Sequence, residues 1–272
     1  MHLSLRLPAL LPRLLALLAF VTAGALPARA DPSEPGCRPE MASLRLPIRK
    51  VALAKDEARL NFVGHATFLI ETPAGIRIAT DYNDYVRPPV TPDVATMNKA
   101  HSTHYSNRPD PGIKQVLRGW DPEGKGPARH DVTMGDVRIR NVPTNIRSYE
   151  GGTDYDGNSI FVFEIGDLCI AHLGHLHHPL EPGHLRALGR VDVVLFPVDG
   201  SYTLDQQGML EVLKSLQARV MIPMHFFGGG TLSRFLASSE GLWPVERRSE
   251  ASLVLGKASL PQRPTMIVLP GH

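Results

Sequence analysis

The chain has 272 residues, 43% of them hydrophobic, which is enough for a substantial core and excludes a disordered or fibrous protein. The formal charge of +2 comes from the first thirty residues, which hold Arg6, Arg13 and Arg29 and no acid; without them 26 basic residues face 27 acidic ones. A near-neutral body has no electrostatic footprint for nucleic acid, and that counts against a nuclease.

Taken in chain order, Arg6 and Arg13 form a positive n-region, Leu14–Leu26 an apolar h-region, and Ala28-Arg29-Ala30 a small-residue cleavage signal before Asp31. The apolar run is short for a membrane span, and no cysteine follows it to take a lipid. We expect a signal peptide at 1–30, an exported mature protein (periplasmic if the source is a Gram-negative bacterium), an extended lead-in at 31–50 and one domain over 51–272. Export permits a disulfide between Cys37 and Cys169, but Cys169 sits in the apolar run LCIAHL, where a buried free thiol is the simpler expectation.

Arg59–Val63, Thr67–Glu71 and Ile76–Thr80 read as strands punctuated by Gly64 and Pro73-Ala74-Gly75, with a weaker strand at Asp93–Met97. The proline- and glycine-rich stretch Arg108–Arg129 reads as a loop. Asp131–Met134 with Val137–Val142, and Ser159–Ile165 with Leu168–Leu173, flank the turn pairs Gly135-Asp136 and Gly166-Asp167. Asp154–Asn158 reads as a turn. The pattern then alternates: helix at Pro182–Gly189, strand at Val191–Pro197, helix at Leu204–Leu216, strand at Arg219–Pro223 and helix at Thr231–Ser238. Leu253–Leu255 and Met266–Leu269 return to strand. A β-rich first half and an α/β second half suggest two packed sheets with helices outside.

Four histidines follow apolar, strand-like runs in three separated places. They are His101 and His104 in MNKAHSTHYS, His175 in AHLGHLHHPL and His225 in VMIPMHFF. Neutral imidazole offers a lone pair near neutral pH, so histidines converging from distant strand ends are what a catalytic metal site requires. His65, after Gly64, is placed to line the same cleft. His178 is a candidate substrate-facing group, with a plain loop residue as the alternative. Asp81 either orients a ligand imidazole or simply forms a turn. Gly228-Gly229-Gly230 lacks the lysine of a phosphate loop, and no Gly-x-Ser-x-Gly elbow occurs.

The stretch GHATFLIETPAGIRIATDY, followed by the histidine cluster near 100, AHLGHLHHPL, VDVVLFPVDG and VMIPMHFF, resembles the metallo-β-lactamase-fold hydrolases. Within them it is most similar to the lactonase-like and N-acylphosphatidylethanolamine phospholipase D-like branch. The likeness runs over roughly residues 58–230 and implies an α/β, four-layer αββα sandwich with a metal site at one edge between the sheets. The family's His-x-His-x-Asp-His motif falls on Lys99–His104. Lys99 stands for its first histidine, Thr103 for its aspartate, Asn145 for a later histidine and His175 for its bridging aspartate.

A protonated lysine has no lone pair, and Thr103 and Asn145 are weak donors, so the first of the family's two metal positions is impaired. We therefore expect one divalent ion, zinc first with iron or manganese as alternatives, on His104, His175 and His225 with His101 assisting. A metal-bound hydroxide would then attack an ester, lactone, amide or phosphodiester bond, with Lys99 or Asn145 polarising the carbonyl or leaving oxygen. The expected partner is a small-molecule substrate, with no nucleic acid and no stable membrane insertion after leader cleavage. The alternative is a degenerate member of the fold that binds a small ligand or a partner without turnover.

Overall fold

Strand β1 (Glu57–Gly64) alternates half-buried and buried residues along its whole length, the period of two that one packed sheet face imposes. It pairs antiparallel with β2 (Thr67–Glu71), and β2 with β3 (Arg77–Ala79). Two parallel strands follow, β4 (Val94–Met97) and β5 (Gln115–Arg118). The computed structural model describes residues 52–271, so the expected signal peptide, the lead-in and Cys37 lie outside the described residues.

The second block starts with β6 (Asp131–Met134), β7 (Val137–Arg147), β8 (Thr153–Ile165) and β9 (Leu168–His172), an antiparallel run. Helix α1 (Pro182–Leu188), strand β10 (Val193–Pro197), helix α2 (Gln206–Leu216), strand β11 (Val220–Met224) and helix α3 (Gly229–Ser238) alternate after it. The short strands β12 (Val245–Arg247), β13 (Ser252–Gly256) and β14 (Thr265–Val268) complete the chain. Two mixed sheets result. One has the order β13-β1-β2-β3-β4-β5, and the other β12-β14-β11-β10-β9-β8-β7-β6.

The main core fills the space between the sheets. Leu60, Phe68 and Ile78 of one meet Ile139, Phe163, Leu195 and Ile222 of the other, all fully buried. The helices cover the outer face of the eight-stranded sheet, where Val194, Phe196 and Met221 pack on Leu188, Leu213 and Phe235. Because β10 and β11 are covered on both faces, they read as unbroken apolar runs. On the outer face of the six-stranded sheet, Ala95 and Met97 pack with Tyr82 and Ile113 from the connecting segments. The fold is thus mixed α/β, with two stacked sheets and few helices.

Three segments differ from their sequence reading. β5 lies inside the expected loop 108–129; four residues paired to a single neighbour carry too little periodicity to stand out. Asp154–Asn158 is part of β8 rather than a turn, and β7 and β8 extend well past their expected ends. Buried positions at those ends include the polar Thr144 and Asn158, so no apolar alternation announces them. A bulge at Asn145 breaks the β7–β8 register, and its Oδ1 accepts the Asp156 N–H at 3.0 Å. β12, all three residues of it exposed, is an edge strand that the sequence did not suggest.

The parallel strands decide where chemistry gathers. Segments that leave the carboxyl ends of β3, β4, β9, β10 and β11 carry Asp81, His101 and His104, His175, Asp199 and His225. Such ends open outward in α/β sheets and form the usual ligand crevice.

Candidate metal centre

His104 and His225 form the buried heart of the centre. Both are fully buried, their rings stacked with centroids 5.1 Å apart and their Nε2 atoms 3.1 Å apart. His104 Nδ1–H donates to Asp81 Oδ2 at 2.6 Å. Asp199 Oδ2 lies 3.0 Å from His225 Nδ1, close enough to hold the proton there although the two are not aligned for a hydrogen bond. With both protons on Nδ1, two bare Nε2 lone pairs face each other at 3.1 Å. That contact is repulsive unless a cation stands between them.

His175 and His101 complete the group. One ring nitrogen from each of His101, His104, His175 and His225 lies within 4.8 Å of every other. His101 Nε2 and His175 Nε2 are 2.7 Å apart, a hydrogen-bond distance that needs one proton between them. His177, which sequence reasoning did not single out, steers His175: its Nε2 lies 2.5 Å from His175 Nδ1, and its own Nδ1 accepts the Arg147 backbone N–H at 2.7 Å. His101 Nδ1 meets the Tyr149 hydroxyl at 2.7 Å. The donor set is therefore four imidazoles with carboxylates behind two of them, which suits a borderline cation such as zinc.

The backbone around this group is strained in a consistent way. Among the described residues five non-glycine residues have positive φ, and three of them are here: His65 (52°), Asp81 (42°) and His225 (56°). The His225 N–H donates to the His65 carbonyl at 2.7 Å, so the two hold each other. Asp81 is pinned through its carbonyl, which accepts from Thr67 Oγ1 and Asn83 Nδ2. The turn that carries His175 needs Gly174 (φ 60°), because a Cβ there would meet Asn98 Nδ2 at 2.4 Å and Asn158 Oδ1 at 2.5 Å. Asn158 Oδ1 accepts the His175 N–H, and Asn98 Nδ2 donates to Asp81 Oδ1, so one buried amide pair links both halves of the site.

Electrostatics keep His104 and His175 neutral. Burial first, then repulsion from His225 and its neighbours, holds His104 well below the usual histidine range. His175 is lowered likewise by burial and by His104. Burial and His225 bring His65 down to about 3. Asp81 is raised to about 6 by burial, despite the nearby His172 and Asn98. Burial pushes Asp199 up, but His225 and the Thr203 hydroxyl outweigh it and hold the carboxyl far below its ordinary value. Neutral imidazoles backed by carboxylates are poised to ligate.

The remaining expected residues fall differently. His65 is in the cluster, its ring 4.1 Å from His225 and 5.1 Å from His104, with a buried Nε2 that has no protein partner. His178 stands outside the group of four, its ring 6.4 Å from that of His177 and its Nε2 buried without a hydrogen-bond partner. Lys99 does line the cavity beside His101, but its Nζ is paired with Asp154 Oδ2 at 2.7 Å, so the expected oxyanion-polarising role is already countered by a carboxylate. Asn145 serves the β7–β8 bulge through Asp156 rather than the histidines, because β7 runs on past the position where the family's ligand would project. Asp81 is a positioning residue, not merely a turn former.

With this geometry in hand, the family is settled by a match of the beta-lactamase superfamily domain to residues 59–225, well over half of the chain. The chain belongs to the beta-lactamase superfamily. A UPF0173 protein of Pyrococcus abyssi is 26% identical over 197 residues, covering 65% of this chain and 88% of that one. A UPF0173 metal-dependent hydrolase of Thermoplasma acidophilum is 33% identical over 92 residues, 33% of this chain and 40% of its own. Among solved structures, a Thermotoga maritima protein assigned to the Zn-dependent hydrolases of the metallo-beta-lactamase superfamily is 29% identical. It superposes with a TM-score of 0.59 over 79% of this chain and all of that one. Igni18, a metallo hydrolase of Ignicoccus hospitalis, shares the fold at 21% identity and a TM-score of 0.51, covering 73% of this chain and 98% of that one.

Within the superfamily match, Asp199, like His177, is a residue of the cluster's surroundings that sequence reasoning missed. It sits at the end of the buried run VDVVLFP, and its Oδ1 accepts the backbone N–H groups of Ser201, Tyr202 and Thr203. An aspartate directly after a doubly buried strand, followed by Gly-Ser, was the available signal.

Proposed function

We propose that the chain is a metal-dependent hydrolase, a metallo-hydrolase of the metallo-β-lactamase superfamily, that holds one divalent cation on His101, His104, His175 and His225. The facing lone pairs of His104 and His225 carry this reading, and the metal-dependent and Zn-dependent hydrolases among its relatives support it. Bound there, zinc (or iron or manganese) supplies Lewis acidity and an activated water at neutral pH. Asp81 and Asp199 fix the tautomers of His104 and His225 and set two negative charges against the dication. His177 fixes the orientation of His175, and the neutral His65 offers a buried, unpartnered Nε2 as a hydrogen-bonding group beside the reacting bond.

One cation rather than two follows from Lys99 and Asn145, both engaged elsewhere at positions where the family pattern has histidine. That altered motif, and the likeness to the lactonase-like and N-acylphosphatidylethanolamine phospholipase D-like branch, leave an ester, lactone, amide or phosphodiester as the bond cleaved. The leader-like segment 1–30 supports export to the periplasm or beyond, with a small molecule as the substrate. Amino-terminal sequencing of the mature protein is expected to start at Asp31, and an intact Met1 would refute export by cleavage. Metal analysis by mass spectrometry on tag-free protein is expected to give about one equivalent per chain. His104→Ala and His225→Ala are each expected to lose it; two equivalents, or none at any loading concentration, would overturn the reading.

A further inference from the structure

Three large aromatic rings stand exposed around the histidine cluster. Tyr149, Tyr202 and Phe227 are 87%, 55% and 61% exposed. Tyr149 and Tyr202 stand edge-on to the His101 ring, with centroids 6.1 and 5.8 Å away. Phe227 lies 5.7 Å from Tyr202 and 5.4 Å from His225. Single surface aromatics are ordinary, but three neighbouring ones around a metal centre form an apolar patch with a purpose. Tyr149, Tyr202 and His101 also line an open cavity of about 470 Å³, a size suited to a small organic substrate.

The loop bearing Tyr202 is fixed before any ligand arrives. The Tyr202 N–H donates to Asp199 Oδ1 at 2.6 Å, and its carbonyl accepts from Arg147 Nη2 at 3.0 Å. Arg147 Nη2 also donates to the carbonyls of Ser201 and Thr203. A ring on an anchored backbone loses little freedom on binding, which favours its use as a contact surface.

The charges of the cavity wall argue against an anionic substrate. Lys99 is paired with Asp154, Arg147 directs its Nη2 at three carbonyls of the Tyr202 loop, and Glu150 adds a negative charge. At the centre, Asp81 and Asp199 balance a dication. Two cations and two anions leave the wall without net charge, so it offers no excess positive potential to draw a phosphate.

We infer that Tyr149, Tyr202 and Phe227 form the subsite for the apolar acyl or aryl group of a neutral carboxyl substrate, an ester or lactone, rather than a phosphodiester. This deepens the hydrolase reading above and rests on it. Two measurements test it on the mature chain loaded with zinc. The first is kcat/KM for p-nitrophenyl esters from acetate to octanoate, beside bis(p-nitrophenyl) phosphate. We expect a rise of about tenfold or more with chain length, the phosphodiester slower than any ester, and bound metal unchanged in Tyr202→Ala and Phe227→Ala while each shrinks the octanoate-to-acetate ratio about tenfold.

The second is calorimetric binding of octanophenone, an alkyl phenyl ketone that cannot be hydrolysed, with about tenfold weaker binding expected in both variants. Unchanged chain-length ratios and ketone affinities in both, or a phosphodiester preferred over every ester, would overturn the subsite. Absence of metal and of any turnover would sink the hydrolase reading instead, and ketone binding that still depends on Tyr202 and Phe227 would then support the subsite by itself.

Discussion

Asp81→Asn is expected to weaken divalent-cation affinity by about 10–100-fold while leaving the fold in place. The carboxylate accepts from His104 Nδ1 on one oxygen and from Asn98 Nδ2 on the other, so both oxygens must be acceptors. An amide replaces one acceptor by a donor. Whichever way it is turned, an N–H group then faces either the imidazole N–H or the Asn98 amide. His104 responds by moving its proton to Nε2, the atom required by the metal, or by rotating away. Asparagine tolerates the positive φ at this position, so the backbone can stay as it is, which Asp81→Ala would not guarantee. Zinc titration against a competing chelator, read beside the thermal midpoint, separates the two effects. An unchanged affinity would show that Asp81 has no part in presenting His104, and a collapsed midpoint with unaltered affinity would make it purely structural.

Much of the fold was legible because its strands bury residues on a regular period. β1 and β2 alternate or run apolar between glycines, and β10 and β11 are continuous apolar runs of the kind that only doubly covered parallel strands need. The histidine cluster was legible for the same reason: His104, His175 and His225 each come after such a run, and the structure brings them together. What supports them was not. Asp81, Asp199 and His177 reach their partners across 23, 26 and 2 residues, and ordinary aspartates at strand ends look the same when they only close a turn. The misplaced roles have one origin. Lys99 and Asn145 were judged by what the family has at those positions, whereas the long β7–β8 hairpin, hidden in a polar stretch, supplies Asp154 and Asp156 to occupy both. The exposed aromatic rim is invisible to any periodicity, since it lies in connections.

The stability of the metal-free protein is expected to fall steeply as pH drops from 7 to 5. His65, His101, His104, His172, His175 and His177 are all held below the usual histidine value, chiefly by burial. Between about 6.5 and their folded values, which reach about 3 for His65 and His177, the unfolded chain binds more protons than the folded one. Stability therefore rises with pH through this window: the contribution is fully present above 6.5 and is lost as the pH falls. Asp81 works in the opposite sense. Its folded value of about 6 lies above the ordinary 3.8, so the folded state takes up one proton there and offsets one histidine. Each uncompensated histidine contributes at most about 1.4 kcal/mol per pH unit, so even two of the five left uncompensated give about 3 kcal/mol per unit. Against a total stability on the order of 5–15 kcal/mol, such a slope unfolds the protein within a few units. Urea denaturation at intervals from pH 7 to 5 reads the slope directly, and His65→Gln should reduce it by about one proton. Added zinc should raise the thermal midpoint at pH 7 and do little at pH 5, because the cation and the protons compete for the same lone pairs. A flat profile would mean that the buried imidazoles already share protons with one another as readily as with water, and the electrostatic basis of the metal centre would have to be abandoned.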